Sequence, residues 1–210
     1  MRQWSKDLRL TRRGLIAGAA GLLVAHAARA DLLRTPRQAA GPFYPRTRPL
    51  DSDADLTLLK GAAGPARGET IEVAGRVLSL KGHALDAVTV EIWQADSFGR
   101  YNHPYDRGGR RDPNFQGFGA VRTGADGAYR FRTVRPRYYG AGAGVRTPHI
   151  HFYVHGRGSE LVTQMYFPGE AMNARDFLYL DLPSDAARAA VTARREPGTV
   201  PRYLFDLVIA

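Results

Sequence analysis

The sequence contains no cysteine among its 210 residues. That absence excludes disulfides, thiolate metal sites and cysteine nucleophiles, so any chemistry must run on oxygen and imidazole groups. Histidine is scarce too, with six in the chain. No run of like charges occurs outside the N-terminal stretch, and no apolar run is long enough to span a bilayer comfortably as a stable anchor. The formal net charge of +10 could point to nucleic acid, but half of it comes from Arg2, Lys6, Arg9, Arg12, Arg13 and Arg29 set against Asp7 alone. The rest is scattered, as on an ordinary solvated surface, and no nucleic-acid partner is expected. Hydrophobic residues at 44% and charged residues at 24% suit a globular domain.

Residues 1–30 read as an export signal. Thr11-Arg12-Arg13-Gly14-Leu15-Ile16 precedes a weakly apolar run to Ala25, and Ala28-Arg29-Ala30 supplies small residues for cleavage. Adjacent arginines before such a run resemble a twin-arginine signal, which carries folded proteins. The expected destination is the periplasm or the exterior, with no membrane anchor once the signal is removed.

Residues 31–68 are rich in Pro, Gly, Asp and Arg without sustained periodicity, and are expected to form an extended arm. Residues 69–210 then carry a period of two. Ile71, Val73 and Val77 share a face, Val88, Val90 and Ile92 alternate with Thr89, Glu91 and Trp93, and Tyr129, Phe131 and Thr133 alternate with Arg130 and Arg132 after an Asp126-Gly127 turn. Further β-rich runs lie at 150–155, 161–167 and 202–209. Only 184–193 reads as a helix, with Ser184 as its N-cap. The expected fold is all-β, an antiparallel sandwich with long active-site loops and one short helix near the C-terminus. The Gly-, Pro- and Asn-rich stretch 99–119 reads as a long functional loop.

Pro148-His149-Ile150-His151 places two imidazoles on one side of a strand, where they can converge on an ion. Pro148 suits a strand start, since no ladder donor is needed there. The pair alone does not identify a metal. Tyr101 stands where a strand runs into the long loop, and Tyr138 and Tyr139 follow another strand's end. A trivalent cation would hold a phenol as phenolate at neutral pH, and phenolate suits Fe(III) better than Zn(II) or Cu(I).

Taken together, these motifs resemble the intradiol ring-cleavage dioxygenases, the non-haem Fe(III) enzymes that include protocatechuate 3,4-dioxygenases and catechol 1,2-dioxygenases. The resemblance runs through Thr35-Pro36-Arg37-Gln38, Gly41-Pro42-Phe43-Tyr44-Pro45, Glu91-Ile92-Trp93-Gln94-Ala95, Gly99-Arg100-Tyr101, Asp112-Pro113-Asn114-Phe115 and Asp126-Gly127-Ala128-Tyr129-Arg130-Phe131. It continues through Arg146-Thr147-Pro148-His149-Ile150-His151-Phe152 and Thr163-Gln164-Met165-Tyr166-Phe167, and closes with the strand 203–208.

The resemblance implies Fe(III) held by Tyr101, Tyr139, His149 and His151, with Tyr101 and His149 equatorial and Tyr139 and His151 axial. Tyr138 takes the axial place if the turn at Thr133–Pro136 is shifted. It further implies that Arg146 offsets negative charge on the substrate, that Gln164 and Tyr44 line the same pocket, and that Tyr139 accepts a substrate proton. The implied reaction joins O2 to a catechol-type ring between its hydroxylated carbons and yields a cis,cis-muconate-type diacid. The Gly140–Val145 stretch departs from the protocatechuate enzymes, which carry a tryptophan and a longer loop there, so the choice of catechol stays open, as does a homo-oligomeric state. Two competing readings remain. One is a non-catalytic periplasmic sandwich that binds copper or zinc through His149, His151 and His103; the other is a sandwich that binds aromatic or polysaccharide ligands through Trp93. His155 is read as a strand-end residue.

Overall fold

The computed structural model describes residues 31–140 and 144–209. The signal read in residues 1–30 and the centre of the Gly/Ala stretch lie outside the described residues. Among the described residues no helix is long and apolar enough to cross a membrane.

Among the described residues nine strands form two sheets. β1 (Thr70–Ser79) pairs antiparallel with β4 (Ala128–Val134), while β8 (Arg202–Leu204) joins β1 in parallel and β7 (Arg194–Glu196) closes the order β4-β1-β8-β7. β9 (Leu207–Ile209) also runs parallel to β1. The second sheet is antiparallel throughout, in the order β3 (Phe118–Arg122), β2 (Thr89–Trp93), β5 (His149–Gly156), β6 (Ser159–Tyr166). The period-two pattern explains the stacking. Ile71, Val73, Val77 and Phe131 of the first sheet meet Val90, Ile92, Ile150, Phe152, Val154 and Met165 of the second in one buried cluster.

The last run, expected as one strand over 202–209, is split. The Phe205 carbonyl accepts the Tyr129 hydroxyl and Asp206 Oδ1 accepts from the Arg76 amide, which draws the chain out between β8 and β9. Both halves pair with β1 in parallel, so the sandwich is mostly rather than wholly antiparallel. β3 begins inside the stretch read as loop, and β7 is a short, largely exposed edge with no alternation to read.

The single expected helix is present as α2 (Asp185–Ala190), with Ser184 Oγ accepting from the Ala187 amide. It is not alone. A 3-10 turn (Ala171–Arg175) leads into α1 (Phe177–Leu180), one turn whose Leu178 and Tyr179 amides are capped by the Asp176 carboxylate.

The second sheet buries both faces. Its outer face carries Glu91, Trp93, Phe118, His149, His151, Gln164 and Tyr166, the residues whose neighbours point into the sandwich. Residues 31–68 contain no strand or helix; the arm bonds to β9 of the first sheet through the Thr35 amide and the Val208 carbonyl, then to β6 of the second through the Gln38 amide and the Val162 carbonyl, and crosses that outer face. The candidate site therefore lies between a sheet and an arm, not in the sandwich core.

Candidate metal centre

His149 and His151 are 2% and 1% exposed and project from the outer face of β5. His149 Nδ1 lies 2.6 Å from the Thr147 carbonyl oxygen, which fixes its proton there and leaves the Nε2 lone pair free. That Nε2 stands 3.1 Å from His151 Nε2 and 3.3 Å from Tyr101 Oη. Burial, and after it the nearby Arg146 cation, pushes the His149 pKa well down. His151 is pushed the same way by burial, then by His149 and Arg146. Both rings are thus held in the neutral form that ligates metals. Trp93, opposite His151 in the ladder, stacks on it at 4.8 Å and 10° and fixes the ring plane.

Tyr101 is delivered by a loop wound around two carboxylates. Asp96 Oδ1 accepts the amides of Phe98 and Arg100, and its Oδ2 accepts that of Asp112. Asp106 accepts the Tyr101 amide at 2.8 Å and pairs with Arg100. Phe43 of the arm stacks on the Tyr101 ring at 4.5 Å. Tyr139 comes from a different support, a two-residue bridge in which its amide and carbonyl exchange hydrogen bonds with Arg146. Its ring centre is 5.5 Å from that of Tyr101 and 5.7 Å from that of His149. Tyr138 is 44% exposed, under the Arg137 guanidinium, on the other side of the chain. Gly99 permits the two loops to touch: it has φ +79°, and a Cβ there would sit 2.7 Å from the Tyr138 carbonyl oxygen.

The donor set fits a hard cation. Among the described residues no three His, Cys, Asp or Glu side chains converge, so the two imidazoles can gain partners only from the phenols. Tyr101 Oη and His151 Nε2 both stand within 3.3 Å of His149 Nε2. Burial, and for Tyr101 the neighbouring Tyr139 phenol, pushes both tyrosine pKa values up. Two neutral imidazoles and two phenols that ionise only against a strong positive charge match Fe(III) better than softer ions.

Arg146 is 7% exposed and held at two of its nitrogens. Its Nε donates to Asp176 Oδ2 at 2.8 Å, and Nη2 donates to Gln164 Oε1. Burial alone would lower its pKa, but the Asp176 and Tyr139 oxygens outweigh this and raise it, so it remains a fixed cation. Gln164 is held at its other end by the Ala39 carbonyl, and the Tyr166 hydroxyl lies 3.4 Å from its Oε1. Asp176 Oδ2 also accepts the Thr147 amide at 2.9 Å, so one carboxylate positions both the arginine and the residue whose carbonyl orients His149. Sequence reasoning missed Asp176, Phe43 and Tyr166. Asp176 had a local signal, an N-cap residue type before Phe177-Leu178, but nothing local ties it to Arg146.

Tyr44 lies one ring removed from the centre, with its edge on Trp93 at 4.9 Å and its hydroxyl donating to Glu91 at 2.7 Å. His155 faces the same Glu91 at 3.5 Å. His103 is buried beside Phe43 at 5.8 Å between ring centres and is not among the converging donors.

A family model described as Dioxygenase matches residues 39–210. The protocatechuate 3,4-dioxygenase beta chain of Burkholderia cepacia is 41% identical over 172 residues, which takes in 77% of this chain and 72% of that one. Catechol 1,2-dioxygenase 1 of Acinetobacter lwoffii is 34% identical over 163 residues, and this chain spans half its length. Among solved structures, the dioxygenase domain of a dioxygenase carbohydrate-binding protein fusion from Streptomyces sp. SirexAA-E superposes with a TM-score of 0.62 at 30% identity, covering 83% of this chain and 97% of that one. An intradiol ring-cleavage dioxygenase from Tetranychus urticae gives a TM-score of 0.66 at 19% identity, covering 85% and 95%, a likeness of fold.

Proposed function

This chain belongs to the intradiol ring-cleavage dioxygenase family, whose members use non-haem Fe(III) and bind catechols and O2, and on that premise we propose that it cleaves a catechol-type ring between the hydroxylated carbons to give a cis,cis-muconate-type diacid. The observation that carries the reading is the convergence of two neutral imidazoles with two buried phenols beside a fixed arginine.

In this reading His149 and His151 through Nε2, and Tyr101 and Tyr139 through their phenolic oxygens, hold the iron. A bound ferric ion supplies the positive charge that ionises phenols and catechol and the electron-accepting character that opens the ring to dioxygen. The protein residues do the rest. Tyr139 accepts a proton from one catechol hydroxyl, because a phenolate with a conjugate acid near 10 in water is base enough for a catechol. Arg146 lies in a dry setting where a cation acts strongly on nearby charge, and it offsets the negative charge gathering on the ring. Asp176 and Gln164 hold its guanidinium, and Trp93 and Phe43 keep water from the imidazole and phenol faces.

Single Tyr→Phe changes test the assignment. Phenylalanine at 139 is expected to shift or abolish the visible phenolate-to-iron absorption of the loaded protein and to lower turnover by about 10²-fold or more, within the range for a general acid–base group. Phenylalanine at 138 is expected to leave both unchanged. The reverse pattern in the absorption spectrum would move the ligand to Tyr138.

A further inference from the structure

Glu91 is a buried carboxylate that the metal-site reading leaves without a task. It lies on β2 two residues before Trp93, so both side chains leave the same outer face, and it is 5% exposed. A buried charge is costly unless it is paired. The Tyr44 hydroxyl donates to its Oε2 at 2.7 Å, Arg48 Nη2 donates to its Oε1 at 2.6 Å, and His155 Nε2 lies 3.5 Å from the same Oε1. The Tyr44 phenol pKa is pushed up by burial, then by the bond to Glu91, so it stays protonated and remains a donor. Tyr44 and Arg48 both belong to the arm. Strand β2 therefore carries an acid whose two nearest partners arrive only when the arm docks.

The arm has the converse need. It is tied where the Ala39 carbonyl accepts from Gln164, and again where the Ser52 carbonyl accepts from the Ala120 amide. Between these ties, among the described residues, the hydrogen bonds of residues 40–50 are the two that end on Glu91. This is the stretch that lies against Tyr101 and His151. Gly41 has φ +68°, and a Cβ there would meet His151 Cε1 at 3.7 Å. Phe43 stacks on Tyr101 at 4.5 Å and 24°, and Tyr44 sets its edge on Trp93, which stacks on His151.

We propose that Glu91 is a positioning residue for the metal centre: it latches the arm through Tyr44 and Arg48, and the latched arm holds the Tyr101 and His151 rings in place. The proposal rests on the reading of Tyr101 and His151 as iron ligands, and the test separates a failure of the latch from a failure of that reading.

Glu91→Gln keeps the size and an acceptor but removes the charge. The full chain, purified with iron, is treated with trypsin, and the cut after Arg46, an exposed residue between the two latch contacts, is timed by mass. Loss of a hydrogen bond to a charged group raises the opened population about tenfold or more, and cleavage of a locally opened segment follows that population. The cut after Arg46 is therefore expected to be about tenfold faster in Glu91→Gln, with cuts elsewhere in the chain unchanged. Tyr44→Phe is expected to speed the same cut in the parent and to speed it less in the Glu91→Gln background, because the two changes strike one bond. The phenolate-to-iron absorption is expected to shift its maximum in Glu91→Gln with iron per chain unchanged, a response that a purely structural acid would not give. An unchanged rate of cutting after Arg46 overturns the latch. Faster cutting with an unmoved absorption overturns its hold on the ligands. A parent protein without that absorption overturns the ferric reading, and the proposal with it, whatever the cleavage rates.

Discussion

Alanine at position 149 is expected to leave the purified protein without iron after dialysis and to lower ring cleavage by more than 10²-fold. His149 Nε2 lies 3.3 Å from Tyr101 Oη and 3.1 Å from His151 Nε2, so its removal opens the donor set between them. Loss of mere supporting partners around a metal costs about 10–100-fold in affinity or activity, and loss of a ligand must exceed that. The fold should survive. The imidazole is buried, and alanine leaves the Thr147 carbonyl unpaired, which costs about 1–3 kcal/mol. Iron per chain and the urea midpoint, measured on the same preparation, separate the two effects. A variant that keeps one iron per chain and full turnover would remove His149 from the site.

Asp176→Ala carries the largest expected cost in stability. The carboxylate is fully buried and takes the Arg146 Nε and the amides of Thr147, Leu178 and Tyr179. Its removal strands a guanidinium that is 7% exposed, and breaking a buried pair from one side costs about 3–5 kcal/mol. Loss of the α1 cap adds about 1 kcal/mol. In the urea transition the midpoint should fall sharply with the slope unchanged. Asp176→Asn keeps the size and an acceptor, so it should recover part of the stability. In the proposed reaction it should lower kcat more than it raises KM, because Arg146 would be held less firmly where charge develops. Equal stability of the alanine variant and the parent would mean that the Arg146–Asp176 pair is not formed.

The sequence pattern and the structure agree best where the physics is local. Period-two alternation places His149 and His151 on one side of a strand, and Ser184 marks the start of a helix, because both depend on neighbours a few residues apart. The face on which the histidines lie was not legible. Both faces of the second sheet are buried, one by the sandwich and one by the arm, so hydrophobicity does not mark inside from outside. Tyr139 and Tyr138 look alike in sequence. What separates them is the bridge to Arg146, a contact seven residues away that Tyr139 makes and Tyr138 does not. Asp176 meets Arg146 across thirty residues, and the parallel pairing of β8 and β9 with β1 spans more than a hundred. Such contacts come from packing, not from local propensity.

The donor set, the fixed arginine and the family all bear on one reaction, and product analysis reaches it most directly. The iron-loaded protein should be given a panel of catechols under 18O2, with oxygen uptake followed and the product identified by mass. The account predicts, for at least one catechol, a colourless cis,cis-muconate-type diacid with both atoms of one O2 incorporated. A yellow semialdehyde, or no uptake with any catechol by a protein that holds stoichiometric zinc or copper in place of iron, would contradict it.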